Sequence, residues 1–198
     1  MTSEAGADLP GADGSGEPPC LVVIDMQRVF GEPGSPWLAP RFAEIVDPVR
    51  RLAEAFHPRV VFTRFVAPEV PHGAWRQYYE EWPFALQPPD APIYELAEPF
   101  AAMAGPTVDA TTFGKWGPEL AARAGGGALV LAGVSTDCCV LSTALAAADA
   151  GVAVRVVADA CAGVDDESHA KALDVMSLYG PLVEVVTVDG VLGEGWPA

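Results

Sequence analysis

The chain has 198 residues, of which 51% are hydrophobic, so it is long enough for one domain with a sizeable core. Its formal net charge is −16, and such an acidic chain repels nucleic acids and anionic membrane surfaces, which excludes both as expected partners. Four cysteines without a CxxC spacing and three scattered histidines argue against a disulfide scaffold and against a Cys/His zinc site.

Residues 1–19 are predicted to form a disordered acidic tail. They are mainly Gly, Ala, Pro, Ser and acidic residues, and they contain no Lys or Arg. The absence of a basic segment followed by an apolar one argues against a signal peptide, and no apolar run is long enough to cross a bilayer. We therefore expect one domain over residues 20–198, located in the reducing cytoplasm.

The first predicted strand is Cys20–Ile24, a continuous apolar run. Asp25 follows it directly. Open α/β sheets place their sites beyond the carboxyl ends of strands, although an aspartate in a turn or a helix cap would suit this position equally well. Apolar residues at helical spacing then predict an amphipathic helix from Phe42 to about Phe56.

A second strand is predicted over residues 59–63, with Arg64 leaving it. Arg64 would suit a substrate carboxylate, but it could equally pair with one of the many acidic residues of the chain. The next segment places four aromatic residues on one face of a helix: Trp75, Tyr78, Tyr79 and Trp82. This face could pack inside the protein, form a subunit interface or form a wall of a substrate pocket.

Residues 83–106 contain many prolines and predict a long irregular connection. A short strand over residues 107–110 then leads to Lys115, which has aromatic neighbours in a loop. A lone loop lysine is ordinarily a solvated charge. Pro118 suits the first turn of the helix that follows.

The most informative stretch is residues 133–140, Gly-Val-Ser-Thr-Asp-Cys-Cys-Val. It connects a predicted strand over residues 128–132 to the helix-forming residues 141–148, so a cysteine lies in the first turn of a helix. Unpaired backbone N–H groups and the helix dipole would favour a thiolate there, and the same N–H groups could hold an oxyanion. The alternative is a pair of buried structural cysteines.

Two further strands are predicted at residues 152–157 and 182–186, with a helix between them that Asp165 or Asp166 can cap. Strands and helices alternate along the whole chain. This alternation predicts an α/β fold, with one three-layer α/β/α domain around a mainly parallel sheet of about six strands.

Three groups that can act together lie at predicted strand ends or in the loops that follow: Asp25, Lys115 and one cysteine of the 138–139 pair. A carboxylate, an amine and a thiol in one cleft would make a nucleophile with its own proton acceptor. With these residues the sequence resembles the isochorismatase-like cysteine hydrolases, a Rossmann-like family that includes N-carbamoylsarcosine amidases, nicotinamidases and ureidoacrylate amidases. The resemblance runs from about Leu21 to Val191, through residues 23–27, Phe30, Lys115, residues 133–140, Thr143, Ala144, Asp159, Ala160 and His169.

The resemblance implies a role for each of these groups. The family pattern of Cys-Val followed by Thr-Ala selects Cys139 as the nucleophile and leaves Cys138 as a neighbouring small residue. It further implies that Asp25 takes the thiol proton, and that Lys115 stabilises the thiolate and orients Asp25. The peptide between Val134 and Ser135 is expected to be cis, which would place the N–H groups of Ser135 and Cys139 together as an oxyanion hole.

Substrate contacts are expected from Phe30, Arg64, Trp75, Tyr79 and Trp116. The chain departs from the family pattern after the second strand, where nicotinamidase-like members carry an Asp-x-His metal pair that is absent here. Glu69 with His72 is a poor substitute for it, so we expect no metal and no other cofactor. The segment after Lys115 also lacks the serine-containing stretch of many members, which leaves the substrate type open.

The favoured function is a metal-independent amidohydrolase that cleaves a carbonyl C–N bond of a small amide, carbamoyl or ureido compound through a thioacyl intermediate. Alternatives are an isochorismatase-type vinyl-ether hydrolase, a catalytically silent binding module, and a redox role for Cys138 and Cys139. The expected partners are a small-molecule substrate and further copies of the chain, in a homodimer or homotetramer.

Overall fold

A six-stranded parallel sheet lies at the centre of the protein in a computed structural model, which describes residues 17–193. Its strands run side by side in the order β3-β2-β1-β4-β5-β6. They are β1 (Cys20–Ile24), β2 (Val60–Phe65), β3 (Val108–Ala110), β4 (Leu129–Val134), β5 (Val154–Ala162) and β6 (Val183–Val186). The chain thus has the predicted α/β architecture, with the sheet parallel throughout.

Helices cover both faces of the sheet. They are α1 (Arg28–Gly31), α2 (Phe42–Phe56), α3 (Trp75–Glu81), α4 (Phe100–Met103), α5 (Pro118–Ala124), α6 (Leu141–Asp149), α7 (Asp166–Ser177) and α8 (Val188–Gly193). Alternate residues of β1 face opposite layers, so that Leu21 and Val23 pack with α2 while Val22 and Ile24 pack with α5, α6 and α7. None of the helices within residues 17–193 is long and apolar enough to cross a membrane.

The predicted boundaries of β1 and α2 are confirmed, whereas several other strands are longer than predicted. β2 continues through Phe65 because its last three residues pair with β3, so Arg64 belongs to the strand instead of leaving it. β5 likewise extends to Ala162 alongside the end of β4. Residues 83–106 are irregular as expected, but they are anchored by the fully buried side chains of Tyr94 and Phe100.

The predicted tail, residues 1–19, lies outside the described residues up to position 16, and residues 194–198 of the predicted domain also lie outside them. Within the described part, Pro19 is buried and its carbonyl oxygen accepts a hydrogen bond of 3.2 Å from Arg59 Nε.

The ends of β1 and β4 approach each other very closely at Gly133. This residue pairs with Ile24 across the two strands and has a φ of +120°, a backbone conformation that favours glycine. A Cβ atom at this position would lie only 2.0 Å from the carbonyl oxygen of Ile24. Because glycine allows this contact, the residues that follow the two strands come together at one edge of the sheet.

Candidate active site

Asp25 is the first residue after β1, and its side chain is completely buried. Its backbone has a φ of +48°, in the left-handed region that Asp and Asn tolerate better than most residues. Thr63 on β2 holds it from two sides, because its hydroxyl donates to Asp25 Oδ1 at 2.6 Å and accepts from the Asp25 backbone N–H at 3.2 Å. These two hydrogen bonds fix the direction of the carboxylate.

Lys115 forms a buried ion pair with this carboxylate. Its Nζ lies 3.0 Å from Asp25 Oδ2, and both side chains are 0% exposed. The ammonium also donates to the carbonyl oxygen of Thr112 at 2.9 Å and lies 5.2 Å from the ring centroid of Phe65. Although the ion pair is short, Asp25 Oδ2 accepts no hydrogen bond of good directional geometry from residues 17–193, so this buried oxygen can still receive a proton.

Cys139 lies on a π-helical turn, Thr136–Val140, which joins β4 to α6. The Val140 N–H donates to the carbonyl oxygen of Ser135 at 3.1 Å, and the Val134–Ser135 peptide bond is cis. Turns of this type occur frequently at functional sites. Because the turn follows β4, the parallel neighbour of β1, Cys139 lies at the same sheet edge as Asp25.

A single hydroxyl joins the lysine loop to the cysteine turn. Thr143 Oγ1 accepts a hydrogen bond from the Lys115 backbone N–H at 2.9 Å and donates to the Cys139 carbonyl oxygen at 2.6 Å. Thr143 is fully buried on α6. The three groups that the sequence predicted as a unit are thus brought together and held by their backbones.

The surroundings of Cys139 keep its thiol protonated. Burial raises its pKa well above the ordinary value, the negative charge of Asp25 and a hydrogen bond with Asp25 raise it further, and the ammonium of Lys115 opposes this effect. This differs from the predicted thiolate at a helix N-terminus, because the turn is buried and a carboxylate lies beside the sulfur. The site therefore contains a neutral thiol next to a proton acceptor.

A cavity of about 410 Å³ contains this thiol in its wall. Besides Ser135, Cys138 and Cys139, its lining is apolar and mostly aromatic: Phe30, Pro36, Trp37, Leu38, Phe65, Tyr78, Trp82, Phe113 and Val164. A larger cavity of about 660 Å³ lies between α2 and the segment around α4, but Cys139 does not line it. We take the smaller cavity as the candidate substrate site because it contains the nucleophile.

Of the predicted substrate contacts, Phe30 lines the cavity, whereas Trp75, Tyr79 and Trp116 do not. Trp75 and Tyr79 lie behind the wall, where the ring of Trp75 packs against Phe113 with a centroid distance of 5.2 Å. Trp116 packs against the core on the α5–α6 side of the sheet. None of these three side chains lines the cavity, so their contact with a substrate stays a prediction.

Arg64 also lies outside the site. Successive residues of a strand face opposite sides, so the side chain of Arg64 points away from the side on which Thr63 contacts Asp25. Its guanidinium forms a bidentate pair with Asp109, its register partner on β3, with Nε 2.9 Å from Oδ1. The predicted contact with a substrate carboxylate is therefore replaced by a structural ion pair beside the larger cavity.

Sequence reasoning missed several residues that build the site. Trp37 comes from a loop rich in Gly and Pro that shows no periodicity, and Thr63 was read only as the last residue of a strand. Gln27 is fully buried and joins three segments, because its side-chain amide bonds Phe65 N and O at 2.8 and 2.9 Å and Tyr94 O at 2.8 Å. A glutamine three residues after a strand expected to be buried is the signal that could have identified this role.

The residues present do not fit a metal ion. Phe65 and Ala67, in the segment that follows Arg64, are buried and apolar, while Glu69 and His72 are exposed. Within residues 17–193, no cluster of three or more His, Cys, Asp or Glu side chains could hold a metal.

Comparisons with known proteins bear on the family and the fold of the chain. A family model of the isochorismatase domain matches residues 19–189. A cysteine hydrolase from Pseudomonas syringae superposes with a TM-score of 0.75 at 22% identity, over 88% of this chain and 90% of that one. An N-carbamoylsarcosine amidase from Thermoplasma acidophilum gives 0.67 at 22% identity, over 88% and 99% of the two chains.

A pyrazinamidase from Pyrococcus horikoshii in complex with zinc gives a TM-score of 0.65 at 24% identity, over 85% of this chain and 98% of that one. At these identities the solved structures show a shared fold. Among proteins with curated functions, none matches the sequence.

Proposed function

The chain belongs to the isochorismatase domain family, and on that premise we propose that it is a cysteine-dependent hydrolase of a carbonyl C–N bond in a small amide, carbamoyl or ureido substrate. One observation supports this most directly. The neutral thiol of Cys139 lines a cavity and lies beside the ion-paired carboxylate of Asp25, which has an oxygen able to receive its proton. A nucleophile and its base in hydrogen-bonding contact are the basis of covalent acyl transfer.

The first step is attack on the substrate carbonyl. Asp25 takes the thiol proton as the sulfur of Cys139 bonds to the carbonyl carbon. The ammonium of Lys115 favours this transfer because it lowers the pKa of Cys139. The oxygen becomes an oxyanion, which the backbone N–H groups of Ser135 and Cys139 stabilise by hydrogen bonds.

The second step expels the nitrogen. The protonated Asp25 returns its proton to the leaving nitrogen as the C–N bond breaks, which leaves an acyl group on the sulfur of Cys139 and releases ammonia or an amine. Asp25, again a carboxylate, then takes a proton from a water molecule that attacks the thioester. Collapse of this second intermediate returns the proton to the sulfur and releases the acid.

The test compares the two adjacent cysteines. Cys139→Ala should abolish ammonia release while the far-ultraviolet circular dichroism spectrum stays unchanged, and Cys138→Ala should keep most of the activity. Peptide mapping by mass spectrometry of the enzyme quenched during turnover should find the acyl group on the sulfur of Cys139. Acylation of Cys138, or full activity of Cys139→Ala, would refute the proposed mechanism.

A further inference from the structure

Within residues 17–193, six aromatic side chains line the cavity that contains Cys139: Phe30, Trp37, Phe65, Tyr78, Trp82 and Phe113. Trp37 lies among them, with centroid distances of 5.7 Å to Phe65, 5.9 Å to Tyr78 and 6.1 Å to Trp82. The ring of Phe30 is nearly parallel to that of Trp37, whereas Phe65 and Trp82 present edges to it. Such a wall offers both faces and edges to a flat apolar ligand.

The described lining of the same cavity offers no cationic side chain to an anionic ligand. Among the described residues that line it there is no Lys, Arg, His, Asp or Glu. Lys115 is fully buried and is held by Asp25 and Thr112. A carboxylate that entered would lose its water without gaining a cation, which is strongly unfavourable.

Two further observations argue against an anionic substrate. Arg64, the residue that would have matched a substrate carboxylate, is paired with Asp109 and borders the other cavity. The net charge of −16 also produces a long-range field that repels anions from the whole protein. The field disfavours the approach of an anionic substrate, and the pairing of Arg64 leaves this arginine unable to neutralise the substrate once it is bound.

The size of the cavity sets the size of the ligand. A volume of about 410 Å³ lies in the range of about 300–1,000 Å³ that is usual for small-molecule sites. A carboxamide group alone would fill a small part of this space. One or two fused rings attached to the amide would fit within it.

We infer that the cavity selects an amide or ureide bearing a flat apolar group of one or two rings, and that it excludes amides bearing a carboxylate. The inference deepens the proposed function, on which it rests for the position of the scissile bond. The ring system contacts the six aromatic side chains, and the amide carbonyl points toward Cys139.

Binding to the inactive Cys139→Ala variant tests this selectivity without turnover. The probes are naphthylacetamide and the same compound with a carboxylate on the distal ring, measured by calorimetry and by quenching of tryptophan fluorescence, since Trp37 and Trp82 line the cavity. The neutral probe should bind at least about tenfold more tightly. Equal or tighter binding of the carboxylated probe, or no binding of either, would overturn the inference.

A pair of substitutions locates the binding. In the Cys139→Ala background, Trp82→Leu removes one ring of the wall and should weaken naphthylacetamide by about three- to tenfold. Arg64→Gln is the matched control outside the cavity, and it should leave the affinities of both probes unchanged. A selective loss of the carboxylated probe in Arg64→Gln would place the arginine in the binding site and contradict the inference.

Ammonia release by the wild-type enzyme separates this inference from the proposed function. Faster release from the carboxylated probe than from the neutral one would leave the hydrolase proposal intact and overturn the selectivity. Selective binding of the neutral probe without ammonia release or acylation of Cys139 would support the selectivity and refute the proposed reaction.

Discussion

Two ion pairs lie near the carboxyl ends of neighbouring strands, and they differ in what surrounds them. Lys115 and Asp25 are 0% exposed at a separation of 3.0 Å, whereas the side chains of Arg64 and Asp109 are 21% and 35% exposed. Two adjacent residues of β2 contact the two pairs: Thr63 donates a hydrogen bond to Asp25, and Arg64 donates to Asp109. Strand alternation therefore separates a chemical pair from a structural one.

The two pairs also differ in how well their partners are satisfied. The guanidinium of Arg64 donates to both oxygens of Asp109, which leaves neither oxygen free for chemistry. In the buried pair, by contrast, Asp25 Oδ2 contacts the ammonium without a well-directed hydrogen bond. An incompletely satisfied carboxylate next to a thiol is suited to accept a proton, and variants of either pair test this difference.

The largest difference should be in turnover. Asp25→Asn should lower kcat by about 10²–10⁴-fold, because the amide cannot accept the thiol proton. Asp109→Asn, the matched change in the exposed pair, should leave kcat unchanged. Steady-state ammonia release measures both, and a loss of less than about tenfold in Asp25→Asn would remove Asp25 from the role of general base.

The second difference should be in stability. Lys115→Met leaves the Asp25 carboxylate as an uncompensated buried charge and should cost about 3–5 kcal/mol in the free energy of unfolding. Arg64→Met breaks a partly exposed pair and should cost about 0–1 kcal/mol. Urea unfolding of the two variants gives both values.

A double variant provides the control for this stability measurement. Asp25→Asn combined with Lys115→Met removes both charges, so it should recover part of the loss seen in Lys115→Met. Equal losses in Lys115→Met and Arg64→Met would mean that burial does not distinguish the two pairs.

The third difference concerns the thiol that only the buried pair influences. Because burial and Asp25 raise the pKa of Cys139, its alkylation by iodoacetamide should accelerate about tenfold per pH unit between about pH 7 and about pH 9. Asp25→Asn removes a charge that raises this pKa and should accelerate alkylation at a fixed pH. Lys115→Met removes a charge that lowers it and should slow alkylation.

Peptide mapping has to separate this reaction from that of Cys138, whose pKa burial and Asp137 raise to about 12. Arg64→Met should leave the profile of Cys139 unchanged. A rate that is already maximal at neutral pH would show that Cys139 is a thiolate at rest, contrary to the environment described above.

The smallest effect should come from the exposed pair in acid. Partial burial raises the pKa of Asp109, but hydrogen bonds from Arg64 and Thr107 outweigh it and lower the pKa overall. A carboxyl group with a lowered pKa stabilises the folded state at pH values above its unfolded-state pKa of about 3.9. This stabilisation is lost as the pH falls. Asp109→Asn should thus be slightly less stable than wild type near neutral pH, by no more than about 0.5 kcal/mol, and the gap should close in acid.

Chemical denaturation at several pH values from about pH 6 downwards measures this gap, which should begin to close near the unfolded-state pKa of about 3.9 and continue to close below it. A gap that widens as the pH falls would have the wrong sign for a lowered pKa. It would mean that Asp109 is better stabilised in its protonated form.

The sequence was sufficient for the parts of the site that depend on order along the chain. The apolar run of β1 predicts a buried strand, and a polar residue at its end predicts the position of Asp25 at the sheet edge. The stretch at residues 133–140, together with Lys115, carried the family resemblance, which implied a unit of three groups. Their contact in the structure follows from the parallel order of β1 and β4.

The failed assignments depend on quantities that a sequence does not contain. The end of β2 is set by its pairing with β3, so a strand predicted to stop at residue 63 placed Arg64 beyond the edge of the sheet. The aromatic face of α3 was recognised, but the depth of burial decides that Tyr78 lines the cavity while Tyr79 lies behind it. Burial also reversed the predicted shift in the pKa of Cys139.

The left-handed backbone of Asp25 limits what can be transplanted to another scaffold. For residues other than Gly, Asn and Asp this conformation costs about 1–2 kcal/mol in conformational free energy. A glutamate would therefore supply a carboxylate, but with a longer side chain and a strained backbone. A scaffold that reproduces only the distances among the three side chains would therefore misplace the base. The designer has to begin with a buried strand whose next residue turns left-handed, beside a hydroxyl on the adjacent strand, and add the lysine and the cysteine afterwards.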